Sequence, residues 1–104
     1  MTTITTQWIA LDEVNFCSFE ELRAISGLSE LELAELVDVG AIVAHHDATA
    51  PVFALRYVAV AGTARRLRDD FELDHRGIAL AMMLLTRIEA LQAQLALART
   101  NTPG

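Results

Sequence analysis

Two groups of side chains in this sequence are of the types that bind metals or act as nucleophiles. His45, His46 and Asp47 are adjacent, and His75 is the remaining histidine. Neighbouring residues of an extended segment point to opposite sides, so this run is a poor set of metal ligands. Cys17 has no histidine or aspartate motif beside it, so we expect a small buried apolar residue rather than a reactive thiolate. The sequence thus predicts neither a metal site nor a nucleophile.

Sequence motifs for phosphate binding and hydrolysis are absent. The chain contains no Gly-x-Gly-x-x-Gly, Gly-x-x-x-x-Gly-Lys, His-Glu-x-x-His or Gly-x-Ser-x-Gly. We therefore predict that the protein is not an enzyme and has no catalytic residue and no cofactor. The single cysteine excludes an intramolecular disulfide and is typical of a reducing compartment.

Charge is distributed unevenly along the 104 residues. The net charge is −6, and all eight basic residues are arginines. Residues 1–52 hold nine acids and one arginine, whereas residues 53–104 hold five acids and seven arginines. This balance disfavours a generally basic nucleic-acid-binding protein, because such proteins neutralise phosphates with lysine and arginine. We expect the acidic half to face a basic partner.

Two capping boxes eleven residues apart predict a helix-turn-helix in the acidic half. Ser18-Phe19-Glu20-Glu21 and Ser29-Glu30-Leu31-Glu32 both have the Ser-x-x-Glu pattern that begins a helix. Gly27 is placed to end the first helix in the left-handed conformation, and Gly40 to end the second. Two short helices joined through Gly27 and Leu28 form the motif.

The second of these helices carries the candidate binding site. At about 100° per residue, Leu33, Leu36 and Val37 form its core face. The opposite face holds three carboxylates flanked by two apolar side chains: Leu31, Glu32, Glu35, Asp38 and Val39. In a DNA-binding protein this helix lies in the major groove, where carboxylates would meet phosphates. Two interpretations stay open, a solvated acidic face and a docking face for a basic protein, and direct DNA binding is not expected.

Short segments around the helix-turn-helix have the composition of strands. Thr5 to Leu11 is rich in β-prone residues, and Ala41 to Ala44 and Val52 to Phe53 bracket a polar turn. Strands beside a helix-turn-helix predict a small wing, with residues 45–51 at its tip.

A third helix is predicted from Leu55 to about Phe71, where apolar residues recur on one face. Three arginines and two aspartates lie off that face: Arg65, Arg66, Arg68, Asp69 and Asp70. We expect these charges to pair with one another, with a phosphate or acidic-partner site as the alternative.

The last helix is predicted from its N-cap candidate, Asp74, to about Arg99. Its apolar residues alternate by three and four positions, the a/d pattern of a coiled coil. Four of them are the predicted dimerisation residues: Leu84, Ile88, Leu91 and Leu95. The alternative is that Leu91 and Leu95 fold back onto the same chain.

We expect a single domain with three parts. Residues 1–72 would form the helix-turn-helix with its wing and third helix, residues 73–99 the long helix, and residues 100–104 a disordered tail. The longest apolar run, Ile78 to Leu85, is eight residues long, shorter than the roughly 18–20 that span a membrane. The first residues lack the basic and apolar segments of a secretory signal. A soluble, cytoplasmic protein with no membrane segment is the expectation.

Two stretches of the chain resemble the bacterial chaperone modulator CbpM family, a MerR-like helix-turn-helix group. The first is residues 65–81, RRLRDDFELDHRGIALA, and the second is residues 27–33 followed by residues 39–43. The resemblance spans roughly residues 7–98 in order. It implies a mainly α fold, a MerR-like winged helix-turn-helix with short flanking strands, followed by two longer helices, the last ending in a coiled-coil-like seam.

The resemblance also implies a function. It implies that the protein binds the J-domain of a CbpA/DnaJ-like co-chaperone and inhibits both its stimulation of the Hsp70 DnaK and its DNA binding. A J-domain presents a basic helix to its Hsp70, and an acidic protein of complementary charge fits the same surface. We therefore expect this J-domain as the partner. The a/d pattern of the last helix separately predicts a homodimer through that helix. The alternative is a MerR-type transcriptional regulator that binds DNA.

Overall fold

The structure, a computed structural model, describes residues 15–46 and 50–100. Within these residues, helices predominate and a small antiparallel sheet flanks them. The bounds in chain order are β1 (Phe16–Ser18), α1 (Phe19–Ser26), α2 (Glu30–Asp38), β2 (Ala44–His46), β3 (Pro51–Ala54), α3 (Tyr57–Phe71) and α4 (His75–Thr100). The predicted fold class, a helix-turn-helix with short strands and two longer helices, is confirmed.

Both helices of the helix-turn-helix begin at the predicted capping boxes. The Ser18 hydroxyl accepts a hydrogen bond from Glu21 N at 3.0 Å, and the Glu21 carboxylate accepts one from Ser18 N at 2.7 Å. Ser29 and Glu32 make the same reciprocal pair at 3.1 and 2.9 Å. These bonds satisfy amide groups that a helix N-terminus otherwise leaves unpaired.

Gly27 ends α1 as predicted, in the left-handed conformation with φ of 78°. A side chain here would strain the backbone and displace the Arg65 side chain slightly. It would carry the cost of positive φ, and its Cβ would lie 3.2 Å from Arg65 Nε of α3. The close turn therefore brings the start of α2 against α3.

The sheet has the order β1-β3-β2, so the hairpin of β2 and β3 forms the wing. Phe53 is the central partner, lying opposite Cys17 on one side and Ala44 on the other. Strand β1 immediately before α1 was not predicted. The strand expected at Thr5 to Leu11 lies outside the described residues.

The predicted position of the wing's first strand, Ala41 to Ala44, is wrong by several residues. The amides of Ala41 and Ile42 both donate to the Leu36 carbonyl, at 3.0 and 3.3 Å, and therefore close the end of α2. Strand β2 begins at Ala44 and β3 at Pro51, so part of the expected tip, residues 45–51, is paired strand.

The core lies where α1, α2, the sheet and the N-terminal turns of α3 and α4 meet. Its largest fully buried side chains come from both halves of the chain: Phe53, Leu22, Leu33, Leu36, Ile42 and Ile78. Leu33 and Leu36 confirm the predicted core face of α2. The core positions α2 with one face inward and the opposite face outward.

The helix α4 begins at the predicted cap and then leaves the core. Asp74 Oδ1 accepts a hydrogen bond from Gly77 N at 2.8 Å. Ile78, Ala79 and Met82 are buried, whereas every residue of 86–100 is exposed. Leu91 and Leu95, at 45% and 51% exposure, do not fold back onto the described part of the chain.

By length and composition alone, α4 could cross a membrane, with a mean hydropathy of 1.3 over an 18-residue window. This is weak evidence, since core helices of water-soluble proteins pass the same test. Every 18-residue window of α4 contains both Arg87 and Glu89. Each charge would cost roughly 2.5–3.5 kcal/mol near the centre of a bilayer.

Candidate interaction surface on the helix-turn-helix

The outward face of α2 is an exposed strip with two carboxylates. Glu30, Leu31, Ala34 and Asp38 are all exposed, with Leu31 at 54%. None of the hydrogen bonds or ion pairs among the described residues involves the side chain of Glu30 or Asp38. Of the predicted site residues, Leu31 and Asp38 therefore lie on the expected surface.

Glu32, by contrast, faces the interior of the fold. Its carboxylate accepts a hydrogen bond from Arg68 Nη1 at 2.8 Å, across 36 residues of sequence, and its side chain is only 15% exposed. Burial alone would raise the pKa of Glu32. The hydrogen bonds from Ser29 and Arg68, together with the guanidinium charge, outweigh burial and hold that pKa below its ordinary value. Glu32 therefore fastens α2 to α3 and is not available to a partner.

Glu35 and Val39 also turn away from the outward strip. Glu35 Oε1 lies 3.9 Å from His75 Nε2 at the start of α4. Val39 is half-buried and packs against the core at the C-terminal end of α2. The five predicted site residues are thus divided between two faces of the helix, and the structure does not bring them together as one surface.

Sequence reasoning missed an apolar groove beside the outward strip. It lies between α2 and the hairpin and encloses about 260 Å³. Its lining residues come from α1, α2 and both hairpin strands: Phe19, Ala34, Val37, Ala44, His46, Pro51 and Phe53. The only signal in the sequence was Ala34, a small residue three positions after Leu31. The position of the hairpin depends on tertiary packing, so the sequence pattern of α2 could not reveal the groove.

Basic side chains in and near the helix-turn-helix are engaged by carboxylates of the same chain. Arg23, its only arginine, is held by Glu20 at 2.8 Å. On α3, Arg68 also contacts Asp69 at 2.9 Å, and Arg65 lies 3.6 Å from the same aspartate. The predicted pairing of the α3 charges is therefore present for these arginines. Hydrogen bonds to Asp69 and Glu32 raise the pKa of Arg68 above its ordinary value, so it remains charged.

No metal-binding cluster forms within residues 15–46 and 50–100. No three histidine, cysteine or carboxylate side chains in these ranges lie close enough to share a metal ion. His45 instead stacks edge-on against Phe16, with 5.1 Å between ring centroids. Cys17 is buried as predicted, and burial, with the nearby negative charge of Glu21, raises the pKa of its thiol.

The four predicted dimerisation residues share one exposed stripe of α4. Leu84, Ile88, Leu91 and Leu95 are each about half exposed, at 45–52%. A cleft of about 410 Å³ opens between α3 and α4 close to where this stripe begins, and Met82 and Leu85 line it. The chain leaves this apolar stripe uncovered by any described residue.

Comparison with known protein families identifies the fold. Comparison with curated proteins gives no match. The sequence profile of the family described as "MerR HTH family regulatory protein" matches residues 17–100, which include both capping boxes, the hairpin, α3 and α4. A match over this much of the chain shows membership, so the protein belongs to the MerR helix-turn-helix family of regulatory proteins.

Proposed function

We propose that this regulatory protein acts by binding a protein, the J-domain of a CbpA/DnaJ-like co-chaperone in the cytoplasm. Binding would inhibit the co-chaperone's stimulation of the Hsp70 DnaK and its DNA binding. The observation that carries the proposal is the outward face of α2, where Glu30 and Asp38 are exposed and form no ion pair with any residue that the structure describes. The resemblance to the CbpM family supplies the partner.

The geometry favours a basic protein over DNA as the ligand of this face. A helix that reads the major groove lies close to phosphates, and its affinity depends on lysine or arginine contacts that release counterions. The exposed strip of α2 offers carboxylates, and the only arginine of the helix-turn-helix is already paired with Glu20. A J-domain helix that contacts Hsp70 through basic side chains would find complementary charge here.

The test is the affinity for the J-domain of the DnaJ-like protein encoded in the same genome, measured by calorimetry. Glu30→Lys/Asp38→Lys should weaken binding at least tenfold and slow association most at low salt. Asp70→Lys/Glu72→Lys is the matched control, since it changes the net charge equally at exposed positions on and just after α3. Its affinity should fall much less. A wild-type protein that neither binds the J-domain nor inhibits DnaK stimulation would refute the proposal.

A MerR-type transcriptional regulator is the second candidate, favoured by the family membership itself. Arg65 and Arg66 on α3 are exposed, and Arg65 lies beside the Gly27 turn. The discriminating measurement is an electrophoretic shift on the protein's own promoter at low salt. A sequence-specific shift that Arg65→Ala/Arg66→Ala abolishes would favour this candidate over the chaperone modulator.

We also propose that a second copy of the chain covers the exposed stripe of α4. Residues 86–100 form a projecting helix of fifteen residues, a length at which an isolated helix is marginal in water. Pairing with another α4 through residues at a and d positions would bury the stripe. The protein should therefore be a dimer in sedimentation experiments.

The dimer proposal is tested by introducing one glutamate, either within the apolar stripe of α4 or outside it. Leu91→Glu should give a monomer, whereas Ala93→Glu should leave the dimer intact, because at 100° per residue position 93 lies about 140° or more around the helix from the stripe. A monomeric wild type would refute the proposal. Sedimentation of the wild type with anionic lipid vesicles would instead assign α4 to a membrane surface.

A further inference from the structure

We propose that the groove between α2 and the hairpin receives one large apolar side chain from an amphipathic helix of the partner. Basic residues three or four positions before and after that side chain would pair with Glu30 and Asp38. This inference deepens the proposed function, on which its choice of a basic protein partner rests, by specifying the pattern that the surface recognises.

The groove has the composition of an anchor pocket. Phe19 and Phe53, which is 1% exposed, line it with 6.0 Å between their ring centroids. Ala34 and Val37 line it on the side of α2, and the hairpin supplies Ala44 and Pro51 together with the His46 imidazole. Its volume of about 260 Å³ is several times the ~30 Å³ share of one water molecule. An apolar side chain that enters the groove would displace water from its apolar walls and would itself be removed from water. Anchor residues contribute to affinity in this way.

Two carboxylates with no partner among residues 15–46 and 50–100 flank the groove at a fixed spacing. Glu30, Ala34 and Asp38 follow one another by four residues, so they lie in one row along α2, and Ala34 lines the groove. At 1.5 Å per residue, the two carboxylate-bearing positions are about 12 Å apart along the axis. A partner helix with an apolar residue between two basic residues has matching dimensions, because the same rise separates its own side chains.

The carboxylates of Glu30 and Asp38 are available to pair with a basic partner because no described residue engages them. Among the described residues, Glu32 is held by Arg68 and Glu20 by Arg23, whereas no ion pair or hydrogen bond engages the carboxylate of Glu30 or of Asp38. Leu31 extends the apolar area next to Ala34 and is 54% exposed. An apolar centre between charged edges is typical of a protein interface, and a phosphate backbone would gain nothing from either part.

The groove is tested without changing charge by filling it. Ala34→Trp replaces an exposed small residue at the groove wall, and Ala90→Trp makes the same replacement at an exposed position of α4. Both variants should melt within a few degrees of the wild type. Ala34→Trp should weaken J-domain binding at least tenfold, and Ala90→Trp less than twofold. Unchanged affinity of Ala34→Trp would overturn the groove assignment and leave the proposed function standing.

A second probe separates the groove from the choice of partner. Two alanine-rich helical peptides, one with Lys-x-x-x-Leu-x-x-x-Lys and one with serine in place of leucine, are titrated into the isotopically labelled full chain. The leucine peptide should shift the amide signals of Ala34, Val37, Ala44 and Phe53, and the serine peptide should not. If only the leucine peptide shifts these signals and the protein does not bind the J-domain, the proposed function is refuted but the groove's role as an apolar anchor pocket is supported. Equal shifts with both peptides, or none, would overturn the inference. A changed oligomeric state of Ala34→Trp with unchanged J-domain affinity would assign the groove to a second copy and also overturn it.

Discussion

Removal of the Glu32 carboxylate should reveal how strongly α2 is fastened to α3. Glu32 accepts from Ser29 N at 2.9 Å and from Arg68 Nη1 at 2.8 Å. A hydrogen bond to a charged group contributes roughly 1.5–3 kcal/mol, and a helix cap about 0.5–2 kcal/mol. Arg68 keeps Asp69 and the Gly27 carbonyl as partners, so it is not orphaned. The lower ends of these ranges therefore apply, and Glu32→Ala should lose about 2 kcal/mol of unfolding free energy.

The assay is urea unfolding followed by circular dichroism, with Glu32→Gln as a second variant and Glu20→Gln as the control. Glutamine keeps an acceptor for Ser29 N but removes the charge, so Glu32→Gln should lose about 1 kcal/mol. Glu20 forms an ion pair in which its side chain is 68% exposed, and removal of such a pair should cost well under 1 kcal/mol. If Glu20→Gln and Glu32→Gln are equally stable, the proposed anchoring of α2 by Glu32 is wrong.

The pH dependence of the same variants tests the role of the charge. The folded protein lowers the pKa of Glu32 below its ordinary value of 4.5, so the unfolded state binds the proton more readily. The stabilisation by ionised Glu32 is therefore fully present above pH 4.5 and is lost as pH falls through the folded pKa. The difference between wild type and Glu32→Gln should shrink accordingly in acid. A difference that stays constant down to pH 3 would contradict this account.

Three substitutions and one labelling reaction probe the scaffold. Gly27→Ala should lower the free energy of unfolding by about 1–2 kcal/mol because of its positive φ and the Arg65 contact. Gly62 lies in the interior of α3 with open space at its Cβ, so Gly62→Ala should raise the free energy of unfolding by about 0.5–1 kcal/mol in the same assay. Asp74→Ala removes the N-cap of α4 and should lower the free energy of unfolding by about 1 kcal/mol, less than Glu32→Ala does. Native Cys17 should react with Ellman's reagent far more slowly than the unfolded chain at pH 7, and rapid stoichiometric labelling would contradict its burial.

Local patterns in the sequence predicted the helix-turn-helix correctly because its signals lie within three or four residues. The Ser18 and Ser29 boxes and the left-handed Gly27 depend only on neighbours in the chain, and the structure confirms each of them. The position of β2 depended on the way α2 ends. The amides of Ala41 and Ile42 donate back to Leu36, a competing bond that an apolar run does not reveal.

The candidate site was harder to predict. A helical wheel shows which residues of α2 lie opposite the core, but it does not show which other elements of the fold pack against the two sides of the helix. Glu32 and Asp38 are both off the core face of α2, yet α3 approaches one side of the helix and solvent surrounds the other. Arg68, 36 residues later, decides the role of Glu32, and the hairpin decides that Ala34 lines a groove. The local sequence gives no signal for the contact of Glu32 with Arg68, and only the small Ala34 as a signal for the groove.

The opposite charges of the two halves of the chain therefore have two separate causes. Part of the acidity of the first half is satisfied within the fold, since Arg68 of the second half neutralises Glu32 and helps to position α2. Charge asymmetry in the sequence is to this extent a signal of internal packing and not of a partner. On the described face of α2, the carboxylates of Glu30 and Asp38 have no such internal partner, and the proposed recognition of a basic protein depends on them. A functional test that reverses Glu32 would confuse lost folding with lost binding, whereas one that reverses Glu30 and Asp38 leaves the ion pair of Glu32 with Arg68 intact.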